Sequence, residues 1–153
     1  MIDNWGWVMR AMLILLLGIA LLLLIGVATG RAAEVITGPV EATVIRVYDG
    51  DTITVQARPW IGVALTVSVR VDGIDTPEIR GKCDEEKALA QQAKAWTQRL
   101  IADQPVKLWR IKRGKYAGRV VARVQTVNGD LATQLVAHDM ARLYDGGARQ
   151  PWC

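Results

Sequence analysis

From Val40 to Val71 the chain is written in period 2, and this limits its fold more than any other feature. Val40, Ala42 and Val44 alternate with polar residues, and Ile53 and Val55 resume the pattern beyond Asp49-Gly50. Val63, Leu65, Val67, Val69 and Val71 then alternate strictly with Ala64, Thr66, Ser68, Arg70 and Asp72. Successive strand side chains point to opposite faces, so each run reads as a strand, with Arg70 on the face opposite the valines. A DG pair between alternating runs predicts a hairpin, and Arg58-Pro59-Trp60-Ile61-Gly62 predicts a second turn. From Asp84 the period changes. Leu89, Ala93, Trp96 and Leu100 recur at spacings of four, three and four, the mark of an amphipathic helix. Pro105 ends it, Val106 to Ile111 and Arg119 to Val127 read as further strands, and Gly129-Asp130 caps a helix running to about Ala137. Five strands and two to three helices in the order βββαββα predict an α+β fold, a small β-barrel of the OB type with helical additions.

Two acidic motifs lie on this framework, Asp49-Gly50-Asp51-Thr52 in the first hairpin and Asp75-Thr76-Pro77-Glu78 after the third strand. Carboxylates crowded into so small a window repel one another, so they converge where a hard cation binds them, and Ca²⁺ takes oxygen ligands of this kind. Arg70, five residues before Asp75, adds a planar fork that matches a phosphate bidentately. Together these residues point to metal-assisted phosphodiester chemistry. His138 is the only histidine, which excludes paired-histidine ribonuclease chemistry.

Three stretches in order resemble the staphylococcal nuclease (thermonuclease) family: Val47 to Thr52, Val69 to Glu78, and Lys115 to Ala122. With the elements around them they cover roughly residues 38 to 145 and imply the same five-stranded OB barrel. The resemblance implies a Ca²⁺-dependent endonuclease that cleaves DNA and RNA, prefers single strands and leaves 3′-phosphate ends. It makes Asp51 and Asp75 the carboxylate ligands of Ca²⁺ and the backbone carbonyl of Thr76 a third, with Asp49 holding the metal's waters. Glu78 is then the general base, and Arg70 and Arg119 bracket the phosphate. Lys115, Tyr116 and Tyr144 fall near the nucleotide pocket. Here the sequence departs from the family: Ala117 separates Tyr116 from Gly118-Arg119, where the family has Tyr-Gly-Arg. An alternative is a catalytically weak nucleic-acid-binding OB module tethered to a membrane, and a further one is a scaffold whose basic face binds anionic lipid.

Residues 11–30 carry no charge, and about 20 helical residues span the ~30 Å hydrocarbon core of a bilayer. Residues 1–30 therefore read as a single transmembrane anchor or a signal peptide, Ala28-Thr29-Gly30 serving as a cleavage site in the second case. Trp5 and Trp7 suit an interfacial belt, and Arg10 favours a cytoplasmic N-terminus. The expected location is the inner membrane, facing the periplasm or cell exterior, or outside the cell after cleavage. A linker at 31–39, a nuclease-like domain at 40–145 and a tail at 146–153 complete the expected organisation, as a monomer. Asp3 and Arg10 cancel, so the net charge of +4 belongs to the exported part and suits polyanionic partners. Two cysteines in an exported chain favour a Cys83–Cys153 disulfide, with two unpaired thiols as the alternative.

Overall fold

The computed structural model describes residues 5–25 and 34–153. The chain divides into two units, residues 1–32 and 33–153. The first contains helix α1, Trp5–Ile25. Of the uncharged stretch 11–30, the described helix holds residues 11–25. Among the described residues no helix is long and apolar enough to cross a membrane. The proposed cleavage site at Ala28-Thr29-Gly30 lies outside the described residues.

The second unit runs β1 (Val35–Ile36), β2 (Val40–Val47), β3 (Thr52–Trp60), β4 (Val63–Val71), β5 (Ile74–Asp75), α2 (Asp84–Ile101), β6 (Val106–Arg113), β7 (Arg119–Thr126), β8 (Gly129–Asp130), α3 (Leu131–Ala137) and β9 (Arg142–Leu143). Strands β6, β2, β3, β4 and β7 pair in that order, and a further β6–β7 pairing closes them into a five-stranded barrel. β4 and β7 pair in parallel, with Ser68 opposite Arg119 and Arg70 opposite Val121. Ile53, Val55, Val69, Val71, Leu108 and Val124 fill the barrel, and Leu131 and Leu135 of α3, one turn apart, bury against the same core.

The two smallest strands matter most for the site. β5 pairs with β9, setting Ile74 opposite Leu143 and Asp75 opposite Arg142. The C-terminal segment is thereby brought beside the second acidic motif.

Four sequence expectations change in detail. The stretch expected to be a linker enters the sheet at β1, which pairs with β6. β3 continues through Pro59 to Trp60; the register shifts between Ala57 and Trp60, so no ladder hydrogen bond is asked of the proline. The valine alternation is a buried stripe only at the inner end of β4, since Val63 and Leu65 lie exposed while Val69 and Val71 are in the core. The buried stripe of α2 is Glu86, Ala90, Ala93, Thr97 and Ile101, one residue on from the bulky face read in the sequence. Small side chains win that face because the Asp49-Gly50 turn rests on it. A Cβ at Gly50 would meet Thr76 Cγ2 at 2.8 Å and the Ala93 methyl at 2.9 Å, and Thr97 Oγ1 donates to the Gly50 carbonyl at 2.7 Å.

Candidate active site

The β2–β3 turn is pinched by Tyr48 N–H donating to the Thr52 carbonyl at 2.9 Å, so Asp49 and Asp51 leave the same tight bend. Thr52 follows Asp51 at the head of β3 and lies opposite Arg70 on β4. Arg70 therefore reaches the turn from the neighbouring strand. Its Nη1 is 2.7 Å from Asp51 Oδ1 and its Nη2 3.0 Å from Asp75 Oδ1, one guanidinium bridging both acidic motifs. The second oxygen of Asp51 accepts the Thr76 backbone N–H at 3.0 Å, and Thr52 Oγ1 donates to Oδ1 at 3.0 Å. Asp51 and Asp75 are thus fixed by donors on three elements, with side chains 1% and 7% exposed.

Electrostatically the cluster is under-neutralised. Burial, then the charges of Asp51 and Glu78, push the Asp49 carboxyl up to about 7. Burial also raises Asp51, although Arg70 and the Thr52 and Thr76 hydrogen bonds pull it down. Two buried carboxylates, Asp51 and Asp75, presenting only hard oxygen donors fit a hard divalent cation. Among the described residues one trio of Cys, His, Asp or Glu ligand atoms lies within 4.8 Å of one another, Cys83, Glu86 and Cys153. Its two sulfurs are joined in a disulfide, with Cα atoms 6.0 Å apart, and so have no thiolate to offer.

Glu78 stands on the loop leading to α2, and the buried Glu86 braces that loop. The Glu86 carboxylate accepts Glu78 N–H at 3.3 Å and Lys82 N–H at 2.9 Å, while Cys83 caps α2 by accepting Glu86 N–H at its sulfur. Glu78 itself is half-exposed, facing a groove of about 930 Å³ lined by Tyr48, Asp49, Arg70, Glu78, Lys112, Arg113, Lys115, Tyr116, Arg119, Tyr144 and Arg149, among others.

Residues 68–151 match the family described as Staphylococcal nuclease homologue. The chain belongs to the staphylococcal nuclease family. It is also 28% identical, over 115 residues, to the Endonuclease Htp3 of Saprolegnia parasitica (strain CBS 223.65), an alignment covering 66% of this chain and 54% of that protein. The chain therefore spans about half the length of the curated relative it matches.

Of the two arginines that the staphylococcal nuclease resemblance singles out, Arg70 lies on the carboxylates and Arg119 does not. Arg119, at the start of β7, stacks on Tyr116 with its guanidinium carbon 5.4 Å from the ring centroid. The inserted Ala117 thus leaves Tyr116 and Arg119 on the same groove. Lys115 also lies over the Tyr116 ring, at 5.9 Å. Tyr144 donates its N–H to the Gly73 carbonyl and its hydroxyl to the Gly147 carbonyl, at 2.9 and 2.8 Å, and lines the groove.

Three residues at the site were not singled out from the sequence. Glu86 is one, and Arg149 and Trp152 of the tail are the others. Arg149 Nε is 3.1 Å from Asp75 Oδ1 and its Nη1 bonds Glu78 Oε1, while Trp152 Nε1 donates to Asp75 Oδ2 at 3.3 Å. One signal was available. A disulfide from Cys153 to Cys83, five residues past Glu78, obliges the residues just before Cys153 to pass near the site.

Proposed function

We propose that this protein is a Ca²⁺-dependent nuclease that hydrolyses phosphodiester bonds of DNA and RNA, acting outside the cytoplasm. The observation that carries this reading is the Arg70 fork bridging buried Asp51 and Asp75 at the edge of a groove that also holds Glu78. That the chain belongs to the staphylococcal nuclease family, and resembles a protein named as an endonuclease, supports the same reading.

Asp51, Asp75 and the Thr76 carbonyl would hold Ca²⁺, and Asp49 would orient its waters. When bound, the ion supplies Lewis-acid stabilisation of the phosphoryl oxygens and favours deprotonation of a nearby water. Glu78 accepts the proton of the attacking water. Arg70, on the carboxylates, and Arg119, across the groove, bind the equatorial oxygens as charge builds on them. The water oxygen bonds to phosphorus as the P–O5′ bond breaks, leaving a 3′-phosphate and a 5′-oxygen that takes a proton from solvent to become a hydroxyl. Lys115, Tyr116 and Tyr144 line the path of a strand, and a groove of this size with exposed rims accepts a single strand more readily than a duplex. The export reading is supported by the uncharged stretch 11–30 and by the cysteine pair. Residues 1–30 serve either as an anchor or as a cleaved signal.

The test is to incubate the purified full chain, in mild detergent, with plasmid and with single-stranded DNA, first with Ca²⁺ and then with excess chelator. Cleavage that needs Ca²⁺ and stops on chelation is expected. Undiminished cleavage in chelator would overturn the metal assignment. Tight binding of DNA with no cleavage under any metal would favour the alternative of a binding module.

A further inference from the structure

The tail that closes the chain is built into the site. After β9 it is held by the Tyr144 hydrogen bonds to Gly73 and Gly147, and Arg142 grips it twice. Arg142 Nη1 donates to the Pro151 carbonyl at 3.1 Å, and its guanidinium lies 3.8 Å from the centroid of the Trp152 ring. Trp152 bonds Asp75, and the Cys83–Cys153 disulfide fixes the last residue to the cap of α2. Between these fixed points Arg149 extends to Asp75 and Glu78.

Two features separate Arg149 from an ordinary structural counter-ion. Its side chain is 43% exposed, against 14% for Arg70, and it lines the same groove as Lys115, Tyr116 and Arg119. Its partners are also the wrong ones for a permanent ion pair. Its ion pairs run to Asp75, a carboxylate that a cation would claim, and to Glu78, the group that must accept a proton. A divalent cation at Asp51 and Asp75 cancels much of that attraction and repels a guanidinium 3.1 Å from one of its ligand oxygens. Arg149 then keeps Glu78 but loses its hold on Asp75, which frees part of its fork for a second anion within the length of its side chain. In the groove that anion is a phosphate.

We propose that Arg149 is a substrate-binding arginine of this site, which passes from Asp75 to the substrate phosphate, and that the Cys83–Cys153 disulfide positions it to do so. The inference rests on the nuclease reading and adds to it a third arginine, delivered by the tail. Its planar fork keeps the bidentate geometry a phosphate requires, which a lysine lacks.

The experiment uses the full chain in mild detergent with Ca²⁺. Calorimetry gives the Kd of a nucleoside monophosphate, which contains no phosphodiester bond, and steady-state hydrolysis of single-stranded DNA gives kcat and KM. Wild type comes first: if it neither binds nor cleaves, the nuclease reading fails and with it the premise here. If wild type is active, Arg149→Ala should weaken the monophosphate about ten- to a hundred-fold, as for loss of a charge-assisted hydrogen bond. Arg149→Lys should restore part of that binding, and Arg149→Met, which keeps the apolar stem, should restore none. Cys153→Ser should weaken binding by a smaller factor, and adding it to Arg149→Ala should weaken it no further. Unchanged binding and KM in Arg149→Ala and Arg149→Met, with or without a lower melting temperature, would overturn the proposal. A gain in activity in these variants would do so as well, because Arg149 would then be a latch over the carboxylates.

Discussion

Asp51, Asp75, Arg70 and Glu78 come from separate elements, and their chemistry depends on holding like charges at short range. Glu78 differs from the two aspartates in being half-exposed and in having its backbone, rather than its carboxylate, fixed by Glu86. Its carboxylate is left to an exchangeable partner on the tail, which suits a group that must accept a proton. Glu78→Gln keeps the shape and removes that capacity, so turnover on single-stranded DNA should fall by about 10² or more while folding and DNA binding persist. Single-turnover hydrolysis checks this, and a variant with more than half of normal activity would force the base to be reassigned. At this scale the sequence was legible where spacing alone decides. Arg70 and Asp75 lie five residues apart, and the tight β2–β3 turn ties Asp51 to both. It was not legible for Arg149, whose place depends on the pairing of β5 with β9. Nor was it for Glu86, which stood in a run of helix-start acids that includes Asp84 and Glu85. Only the backbone N–H groups of Glu78 and Lys82 mark it out.

The acidic turn can sit where it does because α2 turns a face of small residues toward it. Leu89, Trp96 and Leu100 suggested a broad apolar stripe, yet Ala90, Ala93 and Thr97 take the innermost line. Hydrophobic periodicity finds the helix and its approximate face, but it weights bulky side chains, whereas closeness of approach favours small ones. Likewise period 2 located β3 and β4 but could not show that their shared hairpin runs on past the barrel, leaving Trp60, Val63 and Leu65 exposed. The contact of α2 with the turn makes a direct prediction at Gly50. Its new Cβ in Gly50→Ala would fall 2.8 Å from Thr76 Cγ2 and 2.9 Å from the Ala93 methyl. Neither group is the end of a flexible chain, so the turn must lift from α2, at a cost of about 1–3 kcal/mol for overpacking. Because Thr76 also donates to Asp51, the lift disturbs the carboxylate pair as well. Thermal denaturation should show a lower melting temperature, accompanied by weaker Ca²⁺ binding. A variant that melts and binds Ca²⁺ like wild type would mean that the approach is looser than these distances require.

On the scale of the whole molecule, the net charge of +4 understates the field that a nucleic acid meets. Asp49, Asp51 and Asp75 are buried at one point, where Arg70 and Arg149 offset them and a bound cation would offset them further. The groove leading from that point is lined by Lys112, Arg113, Lys115 and Arg119. Composition gave a net positive charge that suits polyanionic partners, and the barrel collects these cations along β6, β7 and the loop that joins them. Binding of a single strand along this groove must release counterions, and for single-stranded DNA each neutralised phosphate contributes roughly −0.7 to the slope of log K against log salt. With three to six cations engaged, the slope should lie between about −2 and −4 by the same relation. Fluorescence anisotropy of a labelled single-stranded oligonucleotide with the Glu78→Gln chain, at fixed Ca²⁺ and varied NaCl, measures it without cleavage. Lys115→Ala should make the slope shallower by somewhat less than one. A slope near zero would mean that the strand does not follow this groove, and the placement of Lys115, Tyr116 and Arg119 along its path would have to be abandoned.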